Sequence, residues 1–198
     1  MNHRDQTLRV SCSGLCIIQD AQQQYLLGLN RNMLKKGQPD YQPIGGVFYY
    51  TDPTILDQFE ATTETDLPQL RLYLPMKHHE NFVSWFRQRQ GRETFPMREL
   101  QEELVSEYAL LPELEPTQVA ITFERFTSYE RFSTRAGATG ILTYNLIEIF
   151  KVSFLMEAHQ HTLLNLPAES QLRWFTDAEI RKKLTSNGIP IEALWLLE

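Results

Sequence analysis

The sequence predicts an α/β domain, a sandwich of helices about a mixed sheet. Three observations carry that expectation. β-like stretches and amphipathic helices follow one another in the order strands, helix, strands, helix. A helix near residues 97–111 puts apolar side chains on one side and carboxylates on the other. The composition, 42% hydrophobic and 22% charged over 198 residues, suits one globular domain with a sizeable core.

In chain order, Leu8 to Gln19 comes first; with Val10, Leu15, Cys16, Ile17 and Ile18, it has the character of a buried strand. Asp20 to Gln24 is polar and turn-like, and Tyr25 to Leu29 returns as the second strand of a hairpin. A Gly, Pro and Asp cluster at Gly37 to Asp40 marks a loop before the aromatic strand Tyr41 to Tyr50. Within that strand, Gly45-Gly46 points to a bulge, a kink, or a close approach of backbone to a ligand. Residues 51–90 are less regular. They hold a short alternating strand, Leu70 to Pro75, and a short amphipathic helix, Asn81 to Arg89, with Phe82, Trp85 and Phe86. Pro96 fits the first turn of the acidic helix, with Thr94 or Phe95 near its N-cap. Two longer strands come next, Val119 to Ser128 and Ile141 to Leu155, joined by the small-residue loop Ser133 to Gly140. Glu157 to Pro167 reads as a loop and Leu172 to Phe175 as a strand. Thr176 with Glu179 forms a capping-box pattern opening a helix to about Leu184, and Ile191 to Leu197 reads as a last short helix.

The net charge of −6 disfavours broad binding to a nucleic-acid backbone, which depends on clustered Lys and Arg. A small phosphorylated ligand held by a few arginines and metal ions remains compatible. Cys12 and Cys16 share a strand face and read as buried free thiols. Neither a signal-peptide pattern nor a membrane-length apolar run is read in the chain, so a cytoplasmic protein with no membrane contact is expected.

The stretch Arg98-Glu99-Leu100-Gln101-Glu102-Glu103-Leu104 carries the chemistry. Its carboxylates at i, i+3 and i+4 lie on one side of a helix, while Met97, Leu100, Leu104, Tyr108 and Leu111 recur on the other. Clustered carboxylates repel unless a cation sits among them, and hard divalent cations prefer oxygen ligands. The plain alternative is a solvated acidic face on a core helix.

These residues resemble the Nudix hydrolase superfamily, whose helix carries Arg-Glu-apolar-any-Glu-Glu. Three further pieces agree in order: Tyr25 to Arg31, Pro43-Ile44-Gly45-Gly46, and Arg173 to Ile180. The resemblance covers nearly the whole chain. It departs from the usual pattern in about forty-five residues between the Gly-Gly strand and the motif, in Val105 where the motif closes on Gly, and in Gln90 where an upstream Glu is usual. Those departures are themselves a pattern. Tyr41 to Gly46, Leu70 to Pro75, Phe82 to Phe86, Arg92-Glu93 and Arg98 to Glu103 look like the SMODS-associated Nudix branch, found with bacterial anti-phage systems built on cyclic-oligonucleotide signalling enzymes.

The resemblance implies a Nudix-type α/β/α sandwich with a mixed sheet, a single domain over 1–198 with an insert at about 51–90. It implies Mg²⁺ or Mn²⁺ held by Glu99, Glu102 and Glu103, with Glu102, Glu103 and Arg98 in the catalytic machinery. Arg98 would be fixed by a structural pair with Glu93. Gly45 and Gly46 would meet the substrate; Arg71, placed in the insert, is a candidate from its position to meet the phosphates, with an exposed salt bridge as the alternative. The implied activity is hydrolysis of a diphosphate linkage in a nucleotide, and the implied partners are a nucleotide ligand and a cyclic-oligonucleotide synthase system; a homodimer is compatible. The catalytic base is open among Glu124, Glu130 and Glu148, each also readable as an ordinary surface or sheet-edge acid. Arg31, Arg131 and Arg135 are further phosphate candidates, with exposed salt bridges as the alternative. A second reading is a Nudix-fold module that binds a nucleotide signal without turnover. A third, a pure interaction domain, would use Phe82, Trp85 and Phe86.

Overall fold

The computed structural model describes residues 6–133, 135 and 137–197; Thr134 and Ala136 of the small-residue loop lie outside them. The strands are β1 (Thr7–Ile18), β2 (Tyr25–Leu29), β3 (Tyr41–Pro43), β4 (Gly45–Val47), β5 (Thr62–Thr63), β6 (Arg71–Pro75), β7 (Val119–Phe132), β8 (Leu142–Phe154) and β9 (Leu172–Phe175). The helices are α1 (Arg31–Lys35), α2 (Thr54–Gln58), α3 (His79–Gln88), α4 (Met97–Leu100), α5 (Glu157–Leu164) and α6 (Asp177–Lys182). The class is α/β with a mixed sheet and helices, as the sequence predicts. One sheet has the order β5-β6-β1-β8-β7 with β4 also paired to β1, and a three-stranded sheet has the order β3-β2-β9.

The residues divide into two compact units. The first is drawn from residues up to Gly14, Gly46–Pro96 and Arg125–Glu148; the second from Leu15–Gly45, Met97–Glu124 and Ile149 onward.

In the first unit, β1 pairs antiparallel with β6 and β6 with β5. Alternation sorts the side chains: Leu8, Val10, Leu72 and Leu74 are buried on one face. The stretch expected as an insert is folded. Phe59 of the α2 end, Phe82 and Trp85 form an aromatic cluster with centroids 5.2–5.9 Å apart, while Phe86 approaches Phe48 at 6.3 Å. Gly14 makes that packing feasible, since a Cβ there would stand 2.5 Å from Phe48 Cζ.

In the second unit, β2 pairs antiparallel with β3 and β9, and Tyr41 makes a parallel bridge to Ile191. Its core includes Leu26, Ile44, Leu100, Leu104, Val152 and Leu172, with Tyr108 packed against it. Asn30 caps α1 by accepting from the N–H groups of Asn32 and Met33. The capping box of Thr176 and Glu179 opens α6 as expected.

Three local expectations are corrected. Glu157–Leu164 is a helix, not a loop; it turns only His159 and Leu163 inward, one turn apart, so no apolar stripe advertises it. The short helix α1 stands before the Gly37 loop where none was expected. The last helix shrinks to a single 3₁₀ turn, Leu194–Leu196.

Candidate functional site

The acidic helix sits where its apolar face can be buried: Leu100 and Leu104 are wholly enclosed in the second unit. It opens as α4, then its turn widens over Gln101–Glu107. The N–H of Tyr108 donates to the carbonyl of Glu103, five residues back, at 2.8 Å. Such widened turns are uncommon and recur at functional sites. The regular helical spacing expected from the sequence is thus altered in the half that carries Glu102 and Glu103.

The three glutamates have different surroundings. Glu99 is buried, at 8% exposure, and its carboxylate meets Arg98 at 2.7 Å. A solvated acidic face therefore does not describe it. Glu102 is exposed, and both its carboxylate oxygens accept from the one Arg98 Nη1 at 3.0 Å. Glu103 is half-buried and accepts from the backbone N–H of Gly45 at 3.3 Å. Burial pushes its carboxyl well above the usual carboxylate range, and the charges of Glu99, Glu107 and Glu102 push the same way, against that Gly45 bond. Gly45 has φ +139°, a conformation that suits glycine, so the backbone here is shaped by the residue the motif supplies. Glu107 is an addition that the heptapeptide pattern did not contain. Among the described residues, no group of three His, Cys, Asp or Glu side chains stands ready to hold a metal ion; Arg98 lies between Glu99 and Glu102 instead.

Tyr108 anchors the end of this helix. Its phenol donates to the carbonyl of Leu29 at 3.1 Å, burial raises its pKa far above the ordinary phenol value, and Arg31 lies over its ring at 5.8 Å. Gly28 leaves room for it, since a Cβ there would stand 2.2 Å from the Tyr108 oxygen. Arg31, a phosphate candidate by sequence, is thereby a ring contact.

In the first unit, Glu93 accepts from the N–H of Tyr49 at 2.8 Å. Glu93 belongs to this unit and Arg98 to the other, so their pairing rests on the resemblance. Arg71 stands on β6 and donates to Gln69 Oε1 at 3.3 Å. Gly46 stands in β4, directly after Gly45. Glu148 is no surface or sheet-edge acid. It is 2% exposed and takes Arg92 at 2.7 Å and Arg89 at 3.5 Å, with the Arg92 side chain fully enclosed. Arg92 also lies 3.8 Å from the Phe86 ring centre. Glu124 and Glu130 are exposed. Cys12 and Cys16 are buried free thiols, as expected. Among the described residues no helix is long and apolar enough to cross a membrane.

The elements and the acidic helix define a Nudix-type α/β protein. The model of the SMODS-associated NUDIX domain matches residues 7–193, and the chain belongs to that family. Neither a comparison with curated proteins nor one with solved structures gives a match.

Proposed function

We propose that this chain is a Mg²⁺- or Mn²⁺-dependent Nudix hydrolase of a nucleoside diphosphate-linked substrate, working in the cytoplasm of a bacterium within a nucleotide-signalling defence system. The observation that supports it best is that the helix carrying Glu99, Glu102 and Glu103 lies beside the Gly45 backbone, whose N–H donates to Glu103 at 3.3 Å. An all-oxygen donor set of this kind fits a hard divalent cation, which would offset both the burial of the Glu103 charge and the smaller repulsion from its acidic neighbours. Glu99, Glu102 and Glu103 would hold the metal, which when bound supplies charge neutralisation at the phosphoryl oxygens and a more acidic water. The Gly45 backbone, whose N–H reaches Glu103, would approach the phosphates closely, and Arg98 would orient the acidic loop. Water attacks one phosphorus of the anhydride and the second phosphate leaves with the bridging oxygen.

The Arg98 contacts with two of the three carboxylates favour a second reading, a module that binds a nucleotide without turnover. Val105 in place of the closing glycine agrees with it.

A panel of nucleoside diphosphate derivatives and cyclic oligonucleotides, offered with Mg²⁺ and Mn²⁺ and scored for both hydrolysis and thermal shift, separates the two. Hydrolysis by the wild type that is lost in Glu103→Gln supports the enzyme. Thermal shift without hydrolysis supports the module. Glu103→Gln should melt at or slightly above the metal-free wild type yet gain no stabilisation from added metal. A variant that melts far below it would make the acid structural and defeat the metal assignment.

A further inference from the structure

We propose that the polar face of the β5-β6-β1 strands in the first unit is a binding site for the anionic oxygens of a phosphate group, and that the Glu64 carboxylate now occupies the anion's place. In naming a nucleotide's phosphate as the ligand, this rests on the nucleotide reading above.

The register fixes which residues meet. Arg9 lies opposite Tyr73 and Ser11 opposite Arg71 on the antiparallel β1–β6 pair. The β5–β6 register pairs Thr63 with Leu72, and Glu64 comes directly after it, donating its N–H to the Arg71 carbonyl at 3.0 Å. Opposed residues share a face, so Arg9, Ser11, Arg71 and Glu64 stand together, while Leu8, Val10, Leu72 and Leu74 take the other side.

Asn145 joins the same face by alternation. Its neighbour Tyr144 stacks on His79 of α3, with ring centres 3.8 Å apart. That helix lies on the Leu8–Val10 side of β1, because Phe86 contacts Phe48 and Phe48 fills the space beside Gly14. Asn145 therefore points away from α3, as Arg9 does, on a strand next to β1 in the sheet.

The chemistry of this face is lopsided. Two guanidinium groups, Arg9 and Arg135, meet one carboxylate, and Arg71 stands on the same face. Glu64 bridges Arg9 at 2.8 Å and Arg135 at 3.0 Å. Arg9 and Asn145 are more than nine-tenths buried, yet Arg9 Nε and Asn145 Nδ2 have no acceptor among the described residues. Buried donors left unmade are costly and call for an explanation. A phosphate supplies several acceptor oxygens and negative charge, where a single carboxylate supplies two oxygens, and guanidinium forks match it well. Carboxylate and ligand then compete for the same donors.

That competition gives the test an unusual sign. Binding of inorganic pyrophosphate and of ADP is measured by calorimetry in EDTA, so that neither metal nor turnover enters. Glu64→Gln removes the competing charge and keeps the shape, and it should tighten binding by about tenfold. Arg135→Ala, a change at a half-exposed side chain with little risk to folding, should weaken binding by about tenfold. Tighter binding of ADP than of pyrophosphate identifies a nucleotide's phosphate as the ligand; equal affinity identifies the free anion, and the site stands in either case. If Glu64→Gln folds and binds no tighter, or if Arg135→Ala binds as the wild type does, the cluster is a structural ion network and the proposal falls. In EDTA the measurement reads no metal-dependent step. Failure of the hydrolase reading would therefore leave this result untouched, and failure here would leave hydrolysis untouched.

Discussion

At the scale of single residues, the largest electrostatic commitment is the pair of Arg92 and Glu148. Both side chains are almost wholly out of water. Two ions removed from water are tolerated only because each satisfies the other, and Arg92 also donates to the Phe86 and Glu93 carbonyls. Glu148→Gln leaves a buried guanidinium without its counter-charge and should cost about 3–5 kcal/mol of stability, read by urea denaturation. A loss below about 1 kcal/mol would mean that water reaches the pair. His79 offers a pH readout. Burial holds its imidazole below the ordinary value of 6.5, outweighing the opposite pull of Glu80 and Glu130. The folded state thus binds a proton less readily than the unfolded state. The associated stability is present above pH 6.5 and is lost as pH falls through the folded-state value. His79→Phe keeps a ring against Tyr144 without the titration, so its melting temperature should fall less between about pH 7 and pH 5 than the wild type's. Parallel curves for the two proteins would assign the acid sensitivity elsewhere.

At the scale of elements, the motif helix depends on a strand residue far from it in sequence. Gly28 of β2 faces the Tyr108 phenol, so Gly28→Ala must push the ring or the strand aside. Overpacking of this kind typically costs about 1–3 kcal/mol, and a thermal melt of the variant reads it directly. An unchanged melting temperature would show that Tyr108 moves freely. The elements legible in the sequence are those with a strong local signature. β1 and β6 alternate, α3 carries Phe82, Trp85 and Phe86 at helical spacing, and α6 announces itself by its capping box. Helix α5 lacks any such periodicity, and α1 is too short to show one, although Asn30 caps it. The site divides in the same way. Glu99, Glu102 and Glu103 stand out because one helix presents them. The widened turn, the Arg98 bridge to Glu99 and Glu102 and the Gly45 contact arise from packing that no heptapeptide encodes. Arg9 and Glu64 meet across 55 positions of chain, so only strand pairing reveals them. Gly28 carried no signal at all until Tyr108 was placed.

At the scale of the whole molecule, the chain passes between the two compact units after Gly14, Gly45, Pro96, Glu124 and Glu148. The folded character of residues 51–90 is testable by limited proteolysis. With Leu70, Leu72, Leu74, Phe82 and Phe86 enclosed, native protein should resist cleavage there, and rapid nicking throughout the stretch would contradict the packing. The repeated passage also has a consequence for how the molecule is made. A ribosome delivers residues in order, yet the first unit lacks its final segment until Glu148 has emerged, and the second still needs the residues from Ile149 onward. A nascent chain halted at Pro96 would carry β1 without its later neighbour β8, leaving a strand edge open to pairing with other chains. Neither the residues up to Pro96 nor those from Met97 onward, expressed alone, should yield a folded product. The cell must shelter the chain until residues up to Glu148 have emerged before the first core can close.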